Sequence, residues 1–69
     1  MKEIKIKTEY ITMEAALKYS GIASTGGEAK ILILNGEITV NGEICSMRGK
    51  KLRPGDSFIY NKKDEYLIK

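Results

Sequence analysis

The 69-residue sequence contains no histidine and no tryptophan, one cysteine, one proline and five aromatic residues in all. Each scarcity removes a class of function. Without histidine, the commonest general base and transition-metal ligand is absent. Cys45 therefore has no imidazole partner to activate its thiol. One cysteine and no histidine make no zinc site, and no internal disulfide is possible. An unstapled core this small points to a reducing compartment. No apolar run follows Met1, so a signal peptide is not expected. The longest apolar stretch, Ile31 to Leu34, is far too short to span a bilayer. The expectation is a cytoplasmic chain forming one domain over residues 1–69, with no catalysis, no cofactor, no metal and no membrane partner.

Charge is more informative in its placement than in its total. The net charge is +3, from twelve Lys and Arg against nine Asp and Glu. Between Ile44 and Gly55 the residues Arg48, Lys50, Lys51 and Arg53 occur with no acidic neighbour. In isolation such a run reads as a solvated loop. The carboxylates Glu37 and Glu43, on either side of a tight turn, read as solvated surface.

Local signals divide the chain cleanly. Lys2 to Lys7 alternates Ile4 and Ile6 with Lys5 and Lys7, the pattern of a half-buried strand. The lysines suit an edge protected from pairing with another chain. Thr12 is an N-cap candidate; Met13, Ala16, Leu17 and Ser20 share a helix face, and Gly21 stops it. Thr25 caps a second helix, and Thr25-Gly-Gly-Glu28 has the form of a capping box. Ala29, Leu32 and Ile33 form its inner face, and Asn35-Gly36 ends it. Ile38 and Val40 alternate with polar residues, and Asn41-Gly42 then marks a hairpin over Glu37–Met47. After the basic loop, in which Leu52 is the apolar plug, Pro54-Gly55-Asp56 reads as a turn. Strands at Ser57–Tyr60 and Glu65–Ile68 flank a turn at Asn61–Asp64.

The stretch EAKILILNGEITVNGE resembles the core of the S4-type RNA-binding domain, also called the alpha-L motif. Ser24-Thr-Gly-Gly27 before the helix and Arg48-Gly-Lys-Lys-Leu-Arg-Pro-Gly-Asp56 after the hairpin resemble the small stand-alone bacterial members of that family. The resemblance covers roughly Ile11 to Ile59. It implies an α+β fold, two short helices packed with a β-hairpin, to which the terminal strands would add a small antiparallel sheet. It also implies binding of structured RNA, ribosomal or transfer, with the ribosome or one of its subunits as partner.

Residue by residue, the expected RNA-binding set is Thr25, Gly26, Gly27, Lys30, Asn41, Arg48, Lys50, Lys51 and Arg53. Gly26 and Gly27 would leave the first N–H groups of the helix open to a phosphate, favoured there by the dipole. Many family members carry Arg or Lys near this turn; here glycine leaves the contact to the backbone. The resemblance assigns Lys30 to the RNA side. The guanidinium groups of Arg48 and Arg53 suit phosphate or a stacked base; Lys50 and Lys51 act as point charges. Asn41 fits turn geometry better than base contact. No exposed stacking platform of the kind used for single strands is evident. Two other readings stand beside this one: a protein-interaction adaptor using the same basic patch, and an accessory subunit of an RNA-modifying enzyme.

Overall fold

The computed structural model describes residues 2–69. In chain order the elements are β1 (Lys2–Ile4), β2 (Ile11–Thr12), α1 (Met13–Tyr19), α2 (Gly26–Leu34), β3 (Ile38–Val40), β4 (Glu43–Ile44), β5 (Lys51–Leu52), β6 (Ser57–Tyr60) and β7 (Asp64–Ile68). This is the α+β fold expected.

Both helices begin and end where their caps require. The Thr12 Oγ1 accepts the Ala15 N–H at 3.2 Å, and Gly21 follows the end of α1 with φ +83°. The Thr25 Oγ1 accepts the Glu28 N–H at 3.1 Å. The Glu28 carboxylate reaches one residue further back than a capping box would place it. It accepts the Ser24 hydroxyl at 2.6 Å and the Ser24 N–H at 3.3 Å. Ser24 offers two donors to one carboxylate, whereas the Thr25 hydroxyl is engaged as the cap. These contacts hold the Glu28 carboxyl below its usual range, the hydroxyl bond being the main cause. Past α2, Gly36 at φ +73° lets the chain turn directly into β3.

The strands form two sheets. A five-stranded sheet has the order β1-β7-β6-β3-β4, and β2 pairs with β5 in a separate two-stranded sheet. The larger sheet is mixed, not purely antiparallel: β1 runs parallel to β7. The parallel ladder continues beyond β1, since Ile6 N–H donates to the Lys69 carbonyl and Lys69 N–H to that of Ile4, each at 2.8 Å. The alternation over Lys2–Lys7 is real, with Ile4 buried, Ile6 half-buried and both lysines exposed. The regular strand is nevertheless shorter than the alternation, Lys2–Ile4. Asn41 and Gly42 both take positive φ, +50° and +89°, and make the tight β3–β4 turn.

Met13, Leu17, Ile38, Leu52, Phe58 and Ile68 are the largest fully buried side chains. They come from α1 and from both sheets, and buried Ala29 and Ile33 of α2 join the same cluster, so one core ties the helix pair to the sheets. The Phe58 and Tyr66 rings stack within it, centroids 5.0 Å apart. Helix α1 packs on α2. Buried Leu52 fastens the basic loop to this core.

Candidate nucleic-acid interface

The basic loop lies across the start of α1. The Met13 N–H donates to the Lys50 carbonyl at 2.8 Å and the Glu14 N–H to that of Arg48 at 3.0 Å. Two N–H groups that the helix itself leaves without partners therefore hold the loop in place, while its basic side chains are exposed. Register adds a second anchor, with Ile11 opposite Leu52 and Thr12 opposite Lys51. Alternation along β5 buries Leu52 and exposes its neighbours Lys51 and Arg53.

The start of α2 is different. The Thr25 hydroxyl and carbonyl accept the Glu28 and Ala29 N–H groups. The Gly26 and Gly27 N–H groups find no acceptor among the described residues. A side chain at Gly27 would meet nothing nearer than Thr25 Oγ1, at 3.8 Å. At Gly26 a Cβ would come within 3.2 Å of Glu14 Oε1. Glu14 thus stands between the two parts of the surface, beside the first turn of α2 and 3.7 Å from the Arg48 guanidinium. The sequence reading missed this residue. No local signal marks it, since its place beside Gly26 comes from the packing of α1 on α2.

The four loop cations occupy three neighbouring places. Arg48 pairs with Glu14 and lines a shallow recess with Thr12 and Gly49. Lys50 lines a concavity of about 400 Å³ beside the hairpin, together with Asn41, Ile44 and Met47. Lys51 and Arg53 converge on Tyr10: the Lys51 Nζ lies 5.0 Å and the Arg53 Cζ 5.9 Å from its ring centroid. Lys30 is exposed on α2, one turn past the glycines.

Asn41 serves the fold. Its side-chain amide donates to Asp56 Oδ1 at 3.2 Å, and its carbonyl accepts the Ser57 N–H at 3.1 Å. Asp56 in turn accepts the Arg53 N–H at 2.8 Å, so Asn41 steadies the far end of the basic loop. The Arg53 N–H bond is the main reason the Asp56 carboxyl sits below its usual range; the Asn41 amide and the charges of Lys50 and Arg53 act in the same direction, against partial burial.

Cys45 is buried, and its thiol points at the Met47 carbonyl, 3.2 Å away. Among the described residues no three His, Cys, Asp or Glu side chains gather as metal ligands would. No helix among them is long and apolar enough to cross a membrane.

A helix pair joined to a hairpin and a sheet, with cations arrayed along a loop that seals one helix start and flanks another, defines a small α+β domain built around its helix termini. Residues 4–69 match the S4 domain, and the chain belongs to that family. It is 42% identical over 53 residues to the "Probable ribosome maturation protein RlbA" of Bacillus subtilis (strain 168), covering 77% of this chain and 75% of that protein.

Proposed function

We propose that this protein is a non-catalytic binder of structured RNA, acting through the open start of α2 and the basic loop. The observation that carries the reading is the pair of Gly26 and Gly27 N–H groups without acceptors, flanked through Glu14 by Arg48. Free N–H groups at a helix start favour an anion, and the loop supplies cations for neighbouring phosphates. Membership of the S4 family supports RNA as the ligand. The ribosome-maturation name of the relative favours ribosomal over transfer RNA. Thr25, Gly26, Gly27, Lys30, Arg48, Lys50, Lys51 and Arg53 are the proposed contacts, and Asn41 acts by holding the loop. A-form RNA is read largely through phosphates, 2′-hydroxyls and shape, which suits a face of glycine backbone and basic side chains. The lack of histidine and the burial of Cys45 support a role without chemistry.

Capture from a cell lysate, with and without ribonuclease, tests this reading. Ribosomal RNA should copurify with the wild-type protein, and much less with a variant in which Arg48, Lys50, Lys51 and Arg53 are all Ser. Equal recovery of RNA by both would reduce the loop to a solvated surface. Protein partners retained after ribonuclease, with no RNA before it, would replace the proposal with an adaptor role.

A further inference from the structure

We infer that Tyr10, framed by Lys51 and Arg53, is a stacking site for one unpaired nucleobase at the margin of the RNA-binding face. The inference rests on the RNA-binding reading and adds to it a single-stranded element in the ligand. Tyr10 directly precedes β2, so the Ile11–Leu52 pairing sets its ring beside the outward side chains of β5. The Thr8 hydroxyl donates to the Tyr10 carbonyl at 2.7 Å and fixes the backbone there. Tyr10 is 38% exposed, the least of the exposed large hydrophobic residues. Of the other tyrosines, Tyr66 is buried and Tyr60 half-buried. Tyr19 is exposed, yet among the described residues no cation lies over its ring. Tyr10 is the ring on which two cations of the basic loop converge.

Phosphate binding gains nothing from an aromatic ring, whereas a base can stack on one: every base has a π-face, and such stacking is tolerant of sequence. The arrangement divides the work. Lys51 and Arg53 lie over the ring in the free protein; when they swing out to the phosphates on either side, the ring takes the base. An unpaired nucleotide in a bulge or loop next to a helix is the ligand that presents both at this spacing. In a continuous duplex the base is stacked on its neighbours and out of reach.

The test uses the full chain and two RNA hairpins of the same stem, one fully paired and one with a single bulged 2-aminopurine. The wild-type protein should bind the bulged hairpin more tightly and quench its 2-aminopurine fluorescence. Tyr10→Phe should keep both properties. Tyr10→Leu, which fills similar space without a π-face, should lose the quenching and weaken binding to the bulged hairpin by about 5-fold or more. Its affinity for the paired hairpin should not change, and melting curves identify any variant that fails to fold. If the wild-type protein binds both hairpins equally and Tyr10→Leu matches it, the stacking site is overturned and the RNA-binding reading stands. If neither hairpin binds, both are overturned.

Discussion

Helices α1 and α2 both start at a threonine whose hydroxyl accepts the N–H three residues on, yet their first turns are used in opposite ways. In α1 the next free donors, Met13 and Glu14, are taken by carbonyls of the basic loop. In α2 the equivalent donors, Gly26 and Gly27, find no acceptor among the described residues. The same backbone chemistry thus does a structural job at one helix start and is left available at the other. What differs is the residue type. Met13 is buried, so the chain must close over it, whereas two glycines present nothing that needs covering. The comparison also explains why the basic loop can carry so many like charges: α1 fixes its main chain and Leu52 anchors it, so its charged side chains need no part in holding it.

Loosening the closed start should give the largest effect. Leu52→Ala removes the loop's buried anchor and should cost about 2–5 kcal/mol of stability, a large share for a domain of this size. Denaturant titration measures the loss, and amide exchange at Met13 and Glu14 should accelerate more than at Ile33. Unchanged protection at those two amides would mean that the loop does not depend on Leu52.

Blocking the open start should leave the fold alone. Position 27 has room for a side chain, and an acid is favoured in a first turn. Gly27→Glu should therefore keep or slightly raise the melting temperature while lowering RNA affinity roughly tenfold, the effect of about 1.4 kcal/mol of charge repulsion. Unaltered affinity in titrations would show that α2 does not receive a phosphate.

The smallest effect concerns the far end of the loop. Asp56 has a folded pKa depressed by the Arg53 N–H, so it contributes stability above its unfolded value. That contribution is lost as the pH falls below about 4. Solvent screening holds it to about 0.5 kcal/mol or less. Asp56→Asn should be slightly less stable than wild type at pH 7, and the difference should shrink as the pH is lowered below about 4, by thermal melting across that range. A difference that grows on acidification would reverse the assignment.

What could be foreseen in this chain follows from the range over which each rule acts. The caps at Thr12 and Thr25, the stops at Gly21 and Gly36 and the Asn41-Gly42 turn depend on neighbours within four residues, and all five lie where the sequence places them. The parallel pairing of β1 with β7 joins opposite ends of the chain through strands of three and five residues, and neither carries a local mark of direction. The β2–β5 pair has two residues on each side, too few for alternation to show. The interface was legible in part for the same reason. Gly26-Gly27 and the basic run are visible as strings of letters. Glu14 beside Gly26, and Tyr10 beneath Lys51 and Arg53, arise from helix packing and strand register. The two functions of Asn41, turn residue and tether for Asp56, cannot be separated until Ser57 is known to lie next to it.

The claim that the open start of α2 and the basic loop together bind RNA phosphates is tested most directly by the salt dependence of affinity for a structured ribosomal RNA fragment. Each neutralised phosphate contributes roughly −0.7 to −0.9 to the slope of log affinity against log salt, so three to five contacts give about −2 to −4.5. Arg48→Ala and Arg53→Ala should each make the slope shallower by about one contact, with the melting temperature little changed. A slope near zero, or one that is undiminished after all four loop cations are removed, would contradict the account.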